Sequence, residues 1–440
     1  MKYLIPLVVS LLIGVYSFSQ PARHVVLISI DGLRPAMYLD SGWASPNLHY
    51  LMREGSYAQH MLSVFPSFTY PSHSSMVTGA YPAEHEVCHN APFAPLGNDG
   101  HWNWYTNLIK SRTIWDAAHE ANLTSATVEW PVSVGAPVNW NVPEIWPVKD
   151  GDDRVTESRK YATPGLIEDI EKNATGLLTR DNMNESYLSF DETAGRMADY
   201  IIQHYKPNLL ALHFACVDGA EHEEGIDGDS VRFAVESVDR AIGEVLESIE
   251  RAGIQDSTAV IVVGDHGFSD IHRALRPNIW LATAGLLHTG NDWGMMFQPA
   301  GGSAFLYMEH PEDTTQLKDV RAFINSQPDS IRNLFRVVER PELTQMKADK
   351  RAVMALAARP GVIFSGAIKG AVIFPVKGGH HGYDPNIPEM YTGFISAGAG
   401  IVKGKVIPEI RVVDIAPLVM KLLGVSFDAP DGVVPKDILR

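Results

Sequence analysis

Cysteine is nearly missing from this chain: Cys88 and Cys216 are the only two in 440 residues. A disulfide-stapled scaffold and an all-cysteine metal centre are therefore excluded, since both need more thiols. Whether these two pair is left open, because sequence does not set the distance between their Cα atoms. Positive charge is scarce as well. Lys and Arg together number 36 against 52 Asp and Glu, a formal net charge of −16, which excludes a broad basic surface for nucleic acid. An anionic substrate stays possible, because a bound dication reverses the field locally. Internal repeats and low-complexity tracts are absent. Long apolar runs are absent too, except at the N-terminus. There Lys2 precedes an apolar run to Tyr16 and a small, polar stretch to Gln20. That run is short of the about 20 residues a membrane span needs, so residues 1–20 read as a secretory signal peptide. The mature chain, 21–440, is expected to be secreted or periplasmic, with no membrane span.

What is present is an ordinary globular composition, 45% apolar and 20% charged, patterned as alternating buried strands and helices. His24–Ile30, Asn208–Cys216 and Ala259–Val263 are continuous apolar runs of the kind found in strands covered on both faces. Helical spacing is expected over 45–55, 112–121, 191–205 and 230–252, with Asp191 as an N-cap and Phe233 on the apolar face of the last. The fold class is therefore α/β, a mainly parallel central sheet with helices on both faces. Two stretches break the alternation, about 132–189 and about 285–375, and read as inserted cap or lid segments that wall a pocket.

Ligand sites in such sheets lie beyond the carboxyl ends of strands, and the chemistry-bearing residues collect there. Asp31 follows the first strand and Asp265-His266 follows a later one; Asp218 and His222 stand four apart, one helical turn. His380 and His381 lie in a glycine-rich loop. Thr69, before Tyr70-Pro71 and a run ending at Gly79, sits at or next to a helix N-cap, where free backbone N–H groups suit a phosphate oxygen. Taken singly, each is commonly a cap, a solvated pair or a loop histidine. Together they offer oxygen and nitrogen ligands for two Zn²⁺-like ions.

As a set, Asp31-Gly32, Thr69 within Pro66–His73, Val77–Pro82, Asp218-x-x-x-His222, Gly264–Gly267 and His381-Gly-Tyr383 resemble the nucleotide pyrophosphatase/phosphodiesterase family of the alkaline phosphatase superfamily. The resemblance runs from Val25 to the Asp414–Pro417 segment, in order. It implies an alkaline-phosphatase-like fold and two Zn²⁺ ions. One would be held by Asp218, His222 and His381, the other by Asp31, Asp265, His266 and the hydroxyl of Thr69. It also implies that the Asn90 amide binds a phosphoryl oxygen. The chain departs from the family in three places: no acidic pair precedes Asp218, Glu86 stands where glycine is usual, and His380 doubles the histidine.

The expected activity is hydrolysis of phosphodiester or nucleotide pyrophosphate bonds in a small-molecule substrate. Thr69 would be the nucleophile of a phospho-threonine intermediate, with Asn90 and the Tyr70 backbone N–H stabilising charge. Tyr70, Trp130 and Tyr187 are candidates for an aromatic wall against the substrate's organic group. A phosphomonoesterase or phosphonate hydrolase on the same metals is the rival enzyme. A binding module with a vestigial site is the rival of another class, disfavoured because no ligand is missing.

Overall fold

The computed structural model describes residues 22–95, 97, 99–148, 153–288 and 293–440. The expected signal peptide lies outside the described residues. Among those described, no helix is long and apolar enough to cross a membrane.

An eight-stranded sheet forms the centre. Across it run Lys405–Arg411, Gly55–Leu62, Phe394–Gly398, Thr258–Gly264, His24–Ile30, Leu209–Phe214, Ser125–Val128 and Trp140–Val142. Every neighbouring pair is parallel except the two made by Phe394–Gly398. Side chains alternate along each strand and feed two cores. From the first strand, Val26, Ile28 and Ile30 face one core, together with the helices Pro46–Glu54, Ser189–Tyr205 and Asp229–Arg251. Val25 and Leu27 face the other, with Thr69–Thr78, Ile114–Glu120 and Ile415–Leu422. Both faces are thus covered by helices, which is why the central strands read as unbroken apolar runs rather than alternating ones.

The two irregular stretches behave differently from each other. Residues 132–189 supply Trp140–Val142 to the edge of the main sheet, so this stretch is partly scaffold, followed by the helices Arg154–Tyr161 and Leu166–Ile170. Residues 285–375 build a separate antiparallel sheet of four strands, ordered Phe335–Glu339, Met354–Ala358, Ser303–Met308 and Met295–Ala300. A third, small sheet centres on Ser269–Leu275 and carries Gly379–His380 on the same strand's first residues.

Two expectations need correcting. Asp191 lies inside its helix, not at its N-cap. Its carboxylate instead accepts the backbone N–H groups of Ala215 (2.9 Å) and Cys216 (3.1 Å), capping the next helix, Cys216–Glu224. Phe233 has helical apolar spacing yet is 61% exposed. Thr69, in contrast, stands where expected, next to the N-cap: it is the first helical residue, and Phe68 is the cap.

Candidate active site

Sheet register puts the first acids together. Ile30 is paired with Gly264 across parallel strands, so Asp31 and Asp265 leave the sheet side by side. His266 follows, and its Nε2 lies 3.2 Å from Asp31 Oδ1 and 3.1 Å from Asp265 Oδ2. Thr69 Oγ1 is 3.5 Å from the same nitrogen. The second acids come from elsewhere. On the Cys216–Glu224 helix, Asp218 and His222 are one turn apart, with Oδ2 and Nε2 at 3.4 Å. His381 arrives from the loop after the small sheet, its Nε2 3.6 Å from Asp218 Oδ1. The rings of His266 and His381 stack at 3.6 Å and 7°, joining the two groups.

Partners outside the site aim these side chains. Gly32 N–H donates to Asp265 Oδ1 (3.0 Å), and His213 Nε2 lies 3.2 Å from Asp31 Oδ2. His222 Nδ1 faces the Gly379 carbonyl (3.1 Å) and His381 Nδ1 the Ser67 carbonyl (2.9 Å). Both rings therefore carry their proton on Nδ1 and turn the Nε2 lone pair inward. Glu221, between Asp218 and His222, is fully buried and held by Arg34 Nε at 2.5 Å.

Electrostatics make the bare site uncomfortable. Burial, followed by the charges of Asp265 and Asp218, pushes the Asp31 carboxyl well up from its ordinary value. Burial, with Asp218 adding to it, pushes Asp265 up to about 7. The imidazoles of His266 and His381 are driven well down, first by burial and then by neighbouring histidines. Burial, then His222, takes His380 down to about 3. Ionised acids repel one another here, and charged imidazoles are disfavoured. Asp31 Oδ1, Asp218 Oδ1 and Asp265 Oδ2 are buried with no hydrogen-bond partner. Acceptors left so, beside inward-facing imidazole lone pairs, fit divalent cations, which satisfy the oxygens and allow them to ionise. Three groups have ligand atoms within 4.8 Å of one another: Asp31, Asp265, His266; Asp218, His266, His381; and His222, His380, His381.

Asn90 reaches the same helix end. Its Oδ1 accepts the Tyr70 backbone N–H (3.0 Å), so that N–H is already engaged and is not available to a substrate oxygen as the sequence suggested. The contact turns the amide so that Nδ2, which meets no acceptor among the described residues, becomes the donor at this point. The aromatic wall is corrected too. Trp130 is 1% exposed, wedged edge-on between His73 and Trp115, and the Tyr70 ring is fully buried against Trp102. Both are packing. Tyr187, 52% exposed just before the Ser189–Tyr205 helix, keeps an open face. Glu86 sits in the left-handed region (φ 65°), a conformation suited to the family's glycine, and pairs with Lys350 at 2.7 Å. Cys88 and Cys216 are unpaired, their thiols on the carbonyls of Pro82 and Tyr187.

His213, Arg34–Glu221 and the capping role of Asp191 were not found from the sequence. Only Asp191 left a signal there, as a helix-cap residue type, and it pointed to the wrong helix.

The chain is similar to known proteins in sequence and in fold. The model of the type I phosphodiesterase / nucleotide pyrophosphatase family matches residues 25–384. An uncharacterized pyrophosphatase/phosphodiesterase of Schizosaccharomyces pombe is 28% identical over 251 residues, 56% of this chain and 44% of that one. Rat ectonucleotide pyrophosphatase/phosphodiesterase family member 7 is 24% identical over 94% of this chain and 86% of its own. Among solved structures, an inactive murine ectonucleotide pyrophosphatase/phosphodiesterase 5 in complex with AMP superposes with a TM-score of 0.67 at 19% identity. The superposition covers 95% of this chain and 100% of that one; at that identity the likeness is one of fold.

Proposed function

The chain belongs to the type I phosphodiesterase / nucleotide pyrophosphatase family, and from that premise we propose that it is a metal-dependent phosphodiester hydrolase. It cleaves phosphodiester or nucleotide pyrophosphate bonds through a phospho-threonine on Thr69. Two Zn²⁺ ions serve it, one held by Asp31, Asp265, His266 and Thr69 Oγ1, the other by Asp218, His222 and His381. The enzyme is exported, to the periplasm or outside the cell, after removal of residues 1–20. The observation that carries the reading is the first-turn hydroxyl of Thr69, 3.5 Å from the nitrogen that Asp31 and Asp265 also approach.

Zinc bound at these residues supplies Lewis acidity, lowering the pKa of an oxygen ligand and neutralising charge on phosphoryl oxygens. The chain does the rest. The buried first turn of Thr69–Thr78 holds Oγ1 in one position. The Thr69 oxygen, its proton lost to solvent, forms the bond to phosphorus as the opposite P–O bond breaks and its electron pair leaves with the departing oxygen. Asn90 Nδ2 donates to a non-bridging oxygen, oriented by Tyr70 N–H on Oδ1. Water then takes the phosphoryl group, and Thr69 is released.

The substrate's organic part is read more coarsely. The AMP bound to the murine relative supports a nucleotidyl group. Preference for a diester over a monoester is supported by the lack of extra positive charge: Arg34 is held by Glu221 and the Ile226 carbonyl. The test is acid quenching during turnover of a nucleotidyl diester, followed by peptide mass spectrometry. Nucleotidyl mass on the Thr69 peptide is expected. Turnover with no adduct on that peptide, in a protein that also keeps its activity as Thr69→Ala, overturns the mechanism.

A further inference from the structure

Three imidazoles converge on the outer side of the site, and the reading above uses only two of them. His222, His380 and His381 each have a ring nitrogen within 4.8 Å of the others'. Their hydrogen bonds set them apart. His222 and His381 face carbonyl oxygens with Nδ1, so each protonates there and offers Nε2 as a lone pair. His380 is the reverse. Its Nδ1 accepts the backbone N–H of His381 at 3.0 Å, so in the neutral ring the proton sits on Nε2. Two rings are thus built to ligate and the third to donate.

His380 is also firmly placed. It is paired with Ser269 across the small sheet. Its ring lies against Gly301 (φ 56°), where a Cβ would come within 2.5 Å of His380 Nδ1 and 2.2 Å of the His381 carbonyl. Only glycine leaves room for the ring there. The His222 ring stands across it at 4.8 Å and 85°.

We propose that His380 is a further catalytic residue, a neutral Nε2–H donor to the oxygen that leaves phosphorus. The position follows from in-line displacement. Thr69 attacks from the side of Asp31, Asp265 and His266, so the departing oxygen emerges on the opposite side, among Asp218, His222 and His381. There the P–O electron pair collects on that oxygen, which accepts the His380 hydrogen bond and takes up a proton from solvent on release. Such a donor matters in proportion to the charge it meets. It does little for a nitrophenolate, which disperses its charge, and much for an alkoxide.

This inference rests on the phosphodiesterase reading, and the experiment separates the two. The probes are the 4-nitrophenyl and methyl esters of one nucleoside 5′-monophosphate, with wild type, His380→Ala and His380→Gln, and zinc per chain measured on each protein. The alanine variant is expected to lose about tenfold or more in kcat/KM on the methyl ester and less than about threefold on the nitrophenyl ester. Its metal content should equal that of wild type, and glutamine, which keeps an N–H donor, should restore part of the methyl-ester rate. Equal losses on both esters, loss of an ion in the alanine variant, or glutamine no better than alanine would each overturn the donor role while leaving the phosphodiesterase reading in place. A wild-type protein that cleaves neither ester overturns both.

Discussion

The two halves of the proposed metal-ligating set differ in burial and in how they are positioned. Asp31, Asp265 and His266 are 4%, 0% and 0% exposed and stand at the ends of paired parallel strands. Asp218 and His222 keep 20% and 35% of their side chains exposed and stand on a nine-residue helix that follows the strand Leu209–Phe214. That helix depends on a carboxylate from another helix, Asp191, for its N-cap, and its partner His381 comes from a loop. The inner half owes its geometry to sheet register and the outer half to side chains from three separate segments. A site that must hold a nucleophile still while admitting substrates and releasing products would divide in this way. Nucleophile geometry tolerates little displacement, whereas the leaving-group side must open to solvent.

Removing what the inner half holds gives the largest effect. Thr69→Ala is expected to lower kcat by several orders of magnitude, on the order of 10³-fold or more. Its melting temperature should stay within a few degrees of wild type, since Thr69 makes no capping bond. An alanine variant with near-normal turnover would remove the inner half's claim to the chemistry.

The comparison sharpens when single ligands are removed on each side. Asp265→Asn should bring the zinc content from about two per chain to about one or below and cost more activity than His222→Ala. His222→Ala should be partly rescued by millimolar Zn²⁺, because the exposed side refills from solvent. Equal losses and equal rescue by elemental analysis and kinetics would erase the distinction. One step further out, His213→Ala should weaken metal binding about 10- to 100-fold, through loss of its contact with Asp31 rather than of a ligand. Competition with a chelator reads this directly.

On substrate, kcat/KM for a nucleotidyl or aryl diester should exceed that for the matching monoester by at least about tenfold, roughly 1.4 kcal/mol. Arg34 is engaged by Glu221 and Lys350 by Glu86, so neither offers the cation that a monoester's extra charge calls for. A monoester preference would point to the phosphomonoesterase alternative.

The smallest effect concerns stability away from the metals. Burial holds His85 down at about 3 and His89 at about 4. Their rings bond to Ser75 and to Tyr307. In the unfolded chain both titrate near about 6.5. As pH falls below that value the unfolded state binds protons that the folded state does not, so stability declines on acidification, and the His89 contribution levels off below about pH 4. Denaturant midpoints at pH 7 and pH 5 should show the loss, and His89→Gln should reduce it. A midpoint that is flat or higher at pH 5 would contradict the sign.

The sequence by itself determined the parts that depend on local pattern. Continuous apolar runs marked His24–Ile30 and Ala259–Val263, which are strands in the structure, because strands covered on both faces need apolar side chains at every position. The i, i+4 spacing of Asp218 and His222 and the Gly79 stop, here left-handed at φ 66°, were legible because helix geometry is local. So were the ligand types, which carry their chemistry wherever they sit. Only the tertiary structure decided what covers each residue. Trp130, Tyr70 and Tyr187 look alike as aromatic candidates, yet two are interior packing and one is open. Asp191 and His213 act on residues 24 and 182 positions away. The backbone N–H of His381, donating to His380 Nδ1, decides which nitrogen of that ring carries the proton. Burial, hydrogen-bond partner and tautomer are properties of contacts between distant segments, and a pattern of neighbours along the chain does not contain them.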